Sequence, residues 1–578
     1  APFVGRDAAL ATLREAWSEA RSARGGLALV SGPPGVGKTR LGQVFAAEAE
    51  RAGGLVLTGA SRDGEGVPAF WLWAQVLRRL LASAPEPEVV AELEGAGAEL
   101  AGLVPGLAPA GADLAAGAER RGPDASVGPE LSRFLLFDAV SRALCRASRQ
   151  RPLLVLLDDL QWAGSPSLRL LEHLGHDLLD AAILVVAGVR EEPRAADHPL
   201  ELALPILRRH ARCTEIALRG FARRDVAQWL EQVLGRPPPP DLSSTLYART
   251  EGVPLFVREA IRLLAERGDL RHPEQVRHWS VTIPGEAFDL IRRPLASLSP
   301  EAAALIGAAA VIGRDFTLPF VASVAELPRE KALDLLDEAL RAGVIERTGE
   351  AAGGHRFVHA LFREAALAAV PAGARALLHA RAAEHLERRH AAGLDAVIAE
   401  VAHHSHAAVA AGGAEQAWAA ATRAAERATR VLAWEQAALH HEQAVAALDA
   451  ADAPDPERRL AATLALGEAL RRSGDRERRL AAFARALDAA RSLGRPRELA
   501  LAAIGACDLS EWAPADPAAR AALEEALAAL GEEPSVESAR ARARLAYLSV
   551  RNPGVDAESQ ARRAVAEARA IGDFPALQ

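Results

Sequence analysis

The stretch Gly32-Pro33-Pro34-Gly35-Val36-Gly37-Lys38-Thr39 constrains this 578-residue chain more than any other. It follows the pattern G-x-x-x-x-G-K-[ST], a phosphate-binding loop that works only between the end of a β-strand and the start of a helix. The flanks supply both: Leu27–Ser31 is a short apolar run, and Arg40–Ala52 has an amphipathic helical pattern. Lysine usage sharpens the reading. Of 68 basic residues only Lys38 and Lys331 are lysines, beside one asparagine, two tyrosines and no methionine. Such a skew toward Arg, Ala, Gly and Pro is that of a GC-rich genome replacing lysine wherever arginine serves. Lys38 therefore marks a place where arginine does not serve. A compact ammonium reaches between two phosphates on a tight loop, where a planar guanidinium is the wrong shape.

The strands that follow point to a parallel sheet. Leu55–Thr58, Leu153–Leu157 and Ile183–Val189 are continuous apolar runs, and helical segments such as Leu131–Arg149 and Ser167–Leu179 alternate with them. Strands buried on both faces read this way when helices cover the sheet on each side. Ser83–Gly128, rich in Ala, Gly, Pro and Glu, reads as a variable insertion. The fold class expected is an α/β P-loop NTPase domain over 1–220, then a helical domain over 221–290 and a winged helix over 291–370. A helical linker over 371–410 and an α-solenoid of tetratricopeptide-like repeats over 411–578 complete the chain. Gln416–Leu448, Arg459–Leu493 and Ala539–Ile571 resemble one another as helix pairs; Leu466-Gly467, Gly474-Asp475, Phe483 and Ala486 carry the repeat-like spacing. Stacked pairs form a superhelix whose inner face binds a partner.

Composition excludes several classes. A chain whose main partner is nucleic acid usually carries a basic face, and with a net charge of −8 none stands out here. The longest apolar runs are far too short to span a bilayer. Cys145, Cys213 and Cys507 lack ligand spacing and read as free thiols of a reducing, cytoplasmic compartment. The chain opens almost directly on a motif and stops where another helix should begin, so a piece of a longer protein is expected.

The loop predicts a site. Backbone amides from Gly35 to Thr39 cradle phosphates, aided by the following helix N-terminus. Gly32, Pro33, Pro34, Gly35, Val36, Gly37, Lys38, Thr39 and Arg40 form the nucleotide-binding run. Lys38 bridges the β- and γ-phosphates, and the Thr39 hydroxyl ligates Mg²⁺. Asp158 closes an apolar strand and so stands at the sheet's C-terminal edge, where it holds the same ion. Asp159 is a candidate for polarising the attacking water, or merely caps the turn before Gln161-Trp162. Arg190 ends the next strand at the same edge. It either senses the γ-phosphate or pairs at the surface with Glu191 or Glu192.

Phe3-Val4-Gly5-Arg6, the Gly32–Thr39 loop, Leu156–Trp162, Gly188-Val189-Arg190 and Glu251-Gly252-Val253-Pro254 occur in that order. Together they resemble the signal-transduction ATPases with numerous domains (STAND), relatives of AAA+ proteins. The resemblance spans roughly residues 2–370. Within that class the chain is similar to the large ATP-binding LuxR-type regulators, and equally to ATPase regions attached to bacterial nucleotide cyclases and protein kinases. The resemblance implies ATP/ADP and Mg²⁺ as cofactors. It implies that Val4, Gly5 and Arg6 lie near the adenine and ribose, and that Gly252 and Pro254 match a GxP motif whose proline packs on adenine. It also matches His359 to a winged-helix histidine on the β-phosphate of a closed, ADP-bound state. The winged helix would then act as an internal clamp.

The expected activity is a slow ATPase that switches between an ADP-bound closed state and an ATP-bound, self-associating state, to control an output such as transcription. The signal, a small molecule or protein, would bind the repeats; no membrane or nucleic acid would be bound. The alternatives are a regulatory ATPase region of a cyclase or kinase, and a ring-forming AAA+ motor. Other features read as structure. Trp71, Trp73 and Trp162 suggest core packing, Pro237–Pro240 a rigid linker, and His403-His404-Ser405-His406 an exposed helical end, since helical metal pairs favour i, i+4 spacing.

Overall fold

The computed structural model describes the chain except residues 1–2, 62–65, 84, 95–128, 271–286, 349–352, 392, 454, 508–516, 551–556 and 573–578. The core of the expected insertion, 95–128, thus lies outside the described residues, as does 271–286 of the expected helical domain. The described residues divide into two compact units, 1–404 and 405–578.

The first unit is built on five parallel strands in the order β2-β3-β4-β1-β5: β1 Gly26–Gly32, β2 Leu55–Ala60, β3 Leu153–Asp158, β4 Ile183–Arg190 and β5 Cys213–Ala217. The central strands are apolar without alternation because helices cover both faces. On one face, helices Asp7–Arg21 and Lys38–Arg51 bury Leu13, Trp17, Leu41 and Phe45 against Ala28, Val30, Leu154 and Leu184. Trp73, on helix Trp71–Ala82, is fully buried, and its indole N–H donates to the Ser167 carbonyl at 2.9 Å. It is a core tryptophan, as its amphipathic setting suggests.

Register sets the site. Gly32 is paired with Arg190 across β1 and β4, and Ala60 with Asp158 across β2 and β3. The loop, the acid and the arginine therefore share one edge of the sheet, where ligands of open parallel sheets bind. Gly188 is needed there: a Cβ on it would meet the Asp158 carboxylate at 2.8 Å.

Beyond the sheet, Phe221, Trp229, Leu230, Leu246, Val257 and Leu264 form a separate helical core, and Val4 from the N-terminus packs into it. A further core surrounds helix Pro300–Ile312, which is buried nearly all round by an almost unbroken apolar sequence. Three short antiparallel strands, β6 Asp315–Thr317, β7 Ile345–Arg347 and β8 Gly354–Phe357, lie in the order β6-β8-β7 beside it. Helix Ala360–Ala369 follows directly.

The second unit is wholly helical among its described residues. Pairs Ala414–Arg430 with Trp434–Asp449, Pro456–Ser473 with Arg476–Leu493, and Val536–Val550 with Ala557–Ile571 match the three predicted pairs, and helices Pro496–Ala506 and Pro517–Leu530 intervene. Asp455 and Asp475 cap two helices by accepting from the Arg458 and Arg478 amides. The Phe483 ring fills the space between Gly467 and Gly505. Among the described residues no helix is long and apolar enough to cross a membrane.

Candidate nucleotide site

The phosphate loop joins β1 to helix Lys38–Arg51. Gly35 is held at φ +78°, in the left-handed region, and a Cβ there would press the Leu255 side chain at 2.8 Å. The Leu255 amide in turn donates to the Gly35 carbonyl at 3.2 Å. The loop is thus braced from helix Pro254–Glu266, whose first residue is Pro254. Lys38 curls back: its ammonium donates to the Gly32 carbonyl at 2.7 Å and the Pro33 carbonyl at 3.1 Å. Burial lowers its pKa, opposed by the Asp159 carboxylate and helped by the Arg190 cation. An ammonium hydrogen-bonded to loop carbonyls and desolvated by burial is in the condition that a phosphate relieves.

The Thr39 hydroxyl donates to Asp158 Oδ2 at 2.7 Å, and Asp158 Oδ1 accepts from the Asp159 amide at 3.1 Å. Burial, with the Asp159 carboxylate beside it, pushes the Asp158 carboxyl above its usual value. A hydroxyl and a strand-end carboxylate in contact are the hard oxygen ligands that Mg²⁺ takes, and a dication would favour the ionised form of the acid.

Asp159 and Arg190 are the pivot of a wider network. Asp159 takes φ +54° and caps the one-turn helix Leu160–Trp162. Its Oδ1 accepts from Gln161 Nε2 at 2.8 Å and lies 3.6 Å from Arg190 Nε, while Oδ2 lies 3.7 Å from Arg314. Arg190 is only 7 % exposed, and its guanidinium also lies 4.0 Å from Glu192, one of the two partners considered for a surface pairing. Its guanidinium lies 3.3 Å from Glu364 and sits over the Trp162 ring, and its amide donates to Gln161 Oε1 at 3.0 Å. Arg314 and Glu364 come from the region after residue 290. Arg190 and Asp159 are largely buried while Arg314 and Glu364 are more than a third exposed, so the network runs from the sheet edge out to solvent.

One cavity of about 330 Å³ gathers these groups. Phe3, Val4, Arg6, Pro34 through Arg40, Asp159, Arg190, Pro254 and His359 all line it, which brings most of the sequence-predicted set together. Gly5 stands behind the wall at φ +64°, packed on Asp225. Gly32 and Pro33 serve through their carbonyls. Arg6 donates to the Val36 carbonyl at 2.9 Å and stacks over Phe221. His359 caps helix Ala360–Ala369, its Nδ1 accepting from the Leu361 amide at 3.2 Å. Burial and the cations Arg314, Arg190, Arg258 and Lys38 push its pKa down to about 3. The ring is neutral and its proton sits on Nε2, so it can donate a hydrogen bond without carrying charge.

Sequence reasoning missed Arg258, Arg314, Phe221 and Trp229, which also line the cavity. Arg314 follows Gly313 in a loop without any motif. Arg258 sits one helical turn past Pro254, a signal that could have found it.

Comparisons with known proteins follow the same division. Residues 2–186 match the family described as AAA ATPase domain. A curated relative, an uncharacterized protein of Rhizobium meliloti, is 25% identical over 401 residues, covering 66% of this chain and 36% of that protein. This chain thus spans about a third of that relative. Among solved structures, a STAND protein with a tetratricopeptide repeat sensor from Pyrococcus horikoshii aligns with TM-score 0.43 and 14% identity, covering 99% of this chain and 77% of the other. Cdc6p from Pyrobaculum aerophilum aligns with TM-score 0.30 and 13% identity, over 66% and 94%.

Proposed function

We propose that the chain is a nucleotide-operated switch, binding ATP and ADP with Mg²⁺ and hydrolysing ATP slowly. The observation that carries the reading is the tie of Asp159 and Arg190 to Arg314 and Glu364. Asp159 is the candidate for activating water, and here its oxygens are occupied by Gln161, Arg190 and Arg314. A carboxylate so engaged is a poor base. Its release requires the 291–370 module, read as a winged helix, to move off the sheet edge. Hydrolytic competence and conformation are then one variable.

In this reading the aromatic and apolar end of the cavity, Phe3, Val4, Phe221, Trp229 and Pro254, takes the adenine. Loop amides, Lys38, Arg190, Arg258, Arg314 and neutral His359 take the phosphates. Thr39 and Asp158 would hold Mg²⁺, which supplies charge neutralisation on the phosphates. With ADP the modules stay closed. Exchange for ATP, coupled to a ligand or protein on the tetratricopeptide-like repeats of 411–578, frees the network and permits self-association. The output, transcription or a linked enzyme, is controlled from the cytoplasm.

The test is to purify the protein without added nucleotide, denature it and identify what is released by chromatography. Near-stoichiometric ADP is expected. An empty site with fast, saturable ATP hydrolysis would overturn the switch and favour a ring-forming motor.

A further inference from the structure

The histidine cluster after residue 370 is not the exposed helical end that its sequence suggests. His379, on helix Ala372–Arg389, faces His403 and His404, on helix Ile398–Ala407. His404 is 1% exposed and His379 8%, with His403 half-buried. The i, i+1 spacing of the last two looks wrong for a metal pair only while one helix is considered. The facing helix supplies the third imidazole.

We propose that His379, His403 and His404 form a binding site for a divalent transition metal of the zinc class. One ring nitrogen from each lies within 4.8 Å of the others. Tetrahedral coordination at about 2.0–2.1 Å puts ligand nitrogens roughly 3.3 Å apart, so small ring rotations close the set. His379 Nδ1 and His404 Nδ1 are already 2.8 Å apart. Two imidazole nitrogens can approach so closely only by sharing a proton, and a metal ion replaces that proton with a stronger bridge.

The surroundings suit neutral nitrogen ligands. Burial pushes His379 down to about 4 and His404 well below its usual value, helped by His403 and the cations Arg363 and Arg375. Imidazoles that are neutral near pH 7 need lose no second proton to bind. Arg363 turns its Nε to the Ala310 carbonyl, and Arg375 donates to the Leu367 and Val370 carbonyls. Their charge favours a hydroxide or another anion in the fourth position. Three histidines with one open position is a coordination set that zinc accepts.

A metal there would do mechanical work. A Cβ on Gly66, in the loop after β2, would meet the His403 Cβ at 2.7 Å and the Ala399 carbonyl at 3.1 Å. Helix Ile398–Ala407 therefore rests directly on the α/β module, and an ion would fasten it to helix Ala372–Arg389 at that spot.

The experiment uses the full, untagged chain stripped of metal with EDTA and titrated with Co²⁺, then Zn²⁺. The expected result is the intense visible spectrum of four-coordinate Co²⁺ at one equivalent, displaced by Zn²⁺, with a Zn²⁺-dependent rise in melting temperature. His379→Gln should weaken Co²⁺ binding by more than the ~10–100-fold that loss of a mere supporting partner costs. If that variant misfolds by circular dichroism, His403→Gln, at the half-exposed ring, is to show the same loss. A wild-type chain without the four-coordinate spectrum overturns the site. So does a folded variant whose titration matches wild type, which would put the ion elsewhere, such as at Thr39 and Asp158.

Discussion

The two walls of the nucleotide cavity are made of different materials. One is a single peptide segment, Gly32 to Arg40, whose working groups are backbone amides and one lysine fixed to two loop carbonyls. The other is assembled from side chains far apart in sequence, Asp159, Arg190, Arg314 and His359, with Glu364 supporting Arg190 from outside the lining. The first wall is rigid because strand, loop and helix dictate it, and it suits phosphate in any state of the protein. The second exists only while three separate elements stay together. Under the proposed switch, such a site would bind through one wall and report through the other.

The sharpest way to break this division is at Lys38. In Lys38→Ala the first wall loses its only ammonium. Nucleotide affinity should fall about a hundredfold, the ~3 kcal/mol of a charge-assisted contact. Turnover should fall a further ~10²–10³-fold. Titration with a fluorescent ADP analogue and phosphate release check both. If affinity survives, the loop is not the binding wall. Asp158→Asn comes next. It keeps the hydrogen bond from Thr39 but removes the charge that holds Mg²⁺, so ATPase activity should drop ~10²-fold or more while Mg²⁺-free ADP binding changes little. Equal losses in both would show that Asp158 supports the loop rather than the ion.

The same division explains what could be read from the sequence. The first wall was legible because its parts are contiguous and each has a fixed chemical role: the strand before Gly32, the amphipathic helix after it, the lysine in a lysine-poor chain. Asp158 and Arg190 were legible as strand ends, since register in a parallel sheet brings strand ends to one edge. Arg314 and Glu364 were not. Neither ends a strand of the sheet nor follows a phosphate motif, and only tertiary packing carries them to Asp159 and Arg190. Strand β5, Cys213–Ala217, escaped for a related reason: it is an edge strand with Thr214 and Glu215 in its middle and lacks the continuous apolar run of its neighbours. The histidines of residues 403–406 misled because burial is decided by a partner helix, which helical periodicity alone does not reveal.

Breaking the second wall should have a smaller effect and a different signature. Arg314→Ala removes one cation from Asp159 without touching the loop. ADP should dissociate about five- to tenfold faster, within the usual range of coupling between sites, and basal hydrolysis should rise as Asp159 is released. Stopped-flow displacement and phosphate release separate the two effects. Glu364→Ala, which loosens Arg190 and lies outside the cavity lining, should reproduce the direction. Slower hydrolysis in both would mean that the network builds the catalytic state instead of restraining it.

The smallest effect expected is that of pH on ADP affinity. His359 is held neutral, with a pKa near 3, so from pH 8 to pH 6.5 it has no proton to gain and affinity should stay within about twofold. A bound phosphate raises that pKa, so the sign of any change is tighter binding at lower pH, and only well below neutrality. Stability moves the other way. His359 at about 3 and His379 at about 4 both lie below the unfolded value near 6.5. Protons therefore favour the unfolded chain, and the melting temperature should be full above pH 6.5 and decline as pH falls toward 4. A rise in affinity between pH 8 and 6.5 would place a charged histidine against the phosphates. The second wall would then bind by charge, as the first does, and the contrast between them would fail.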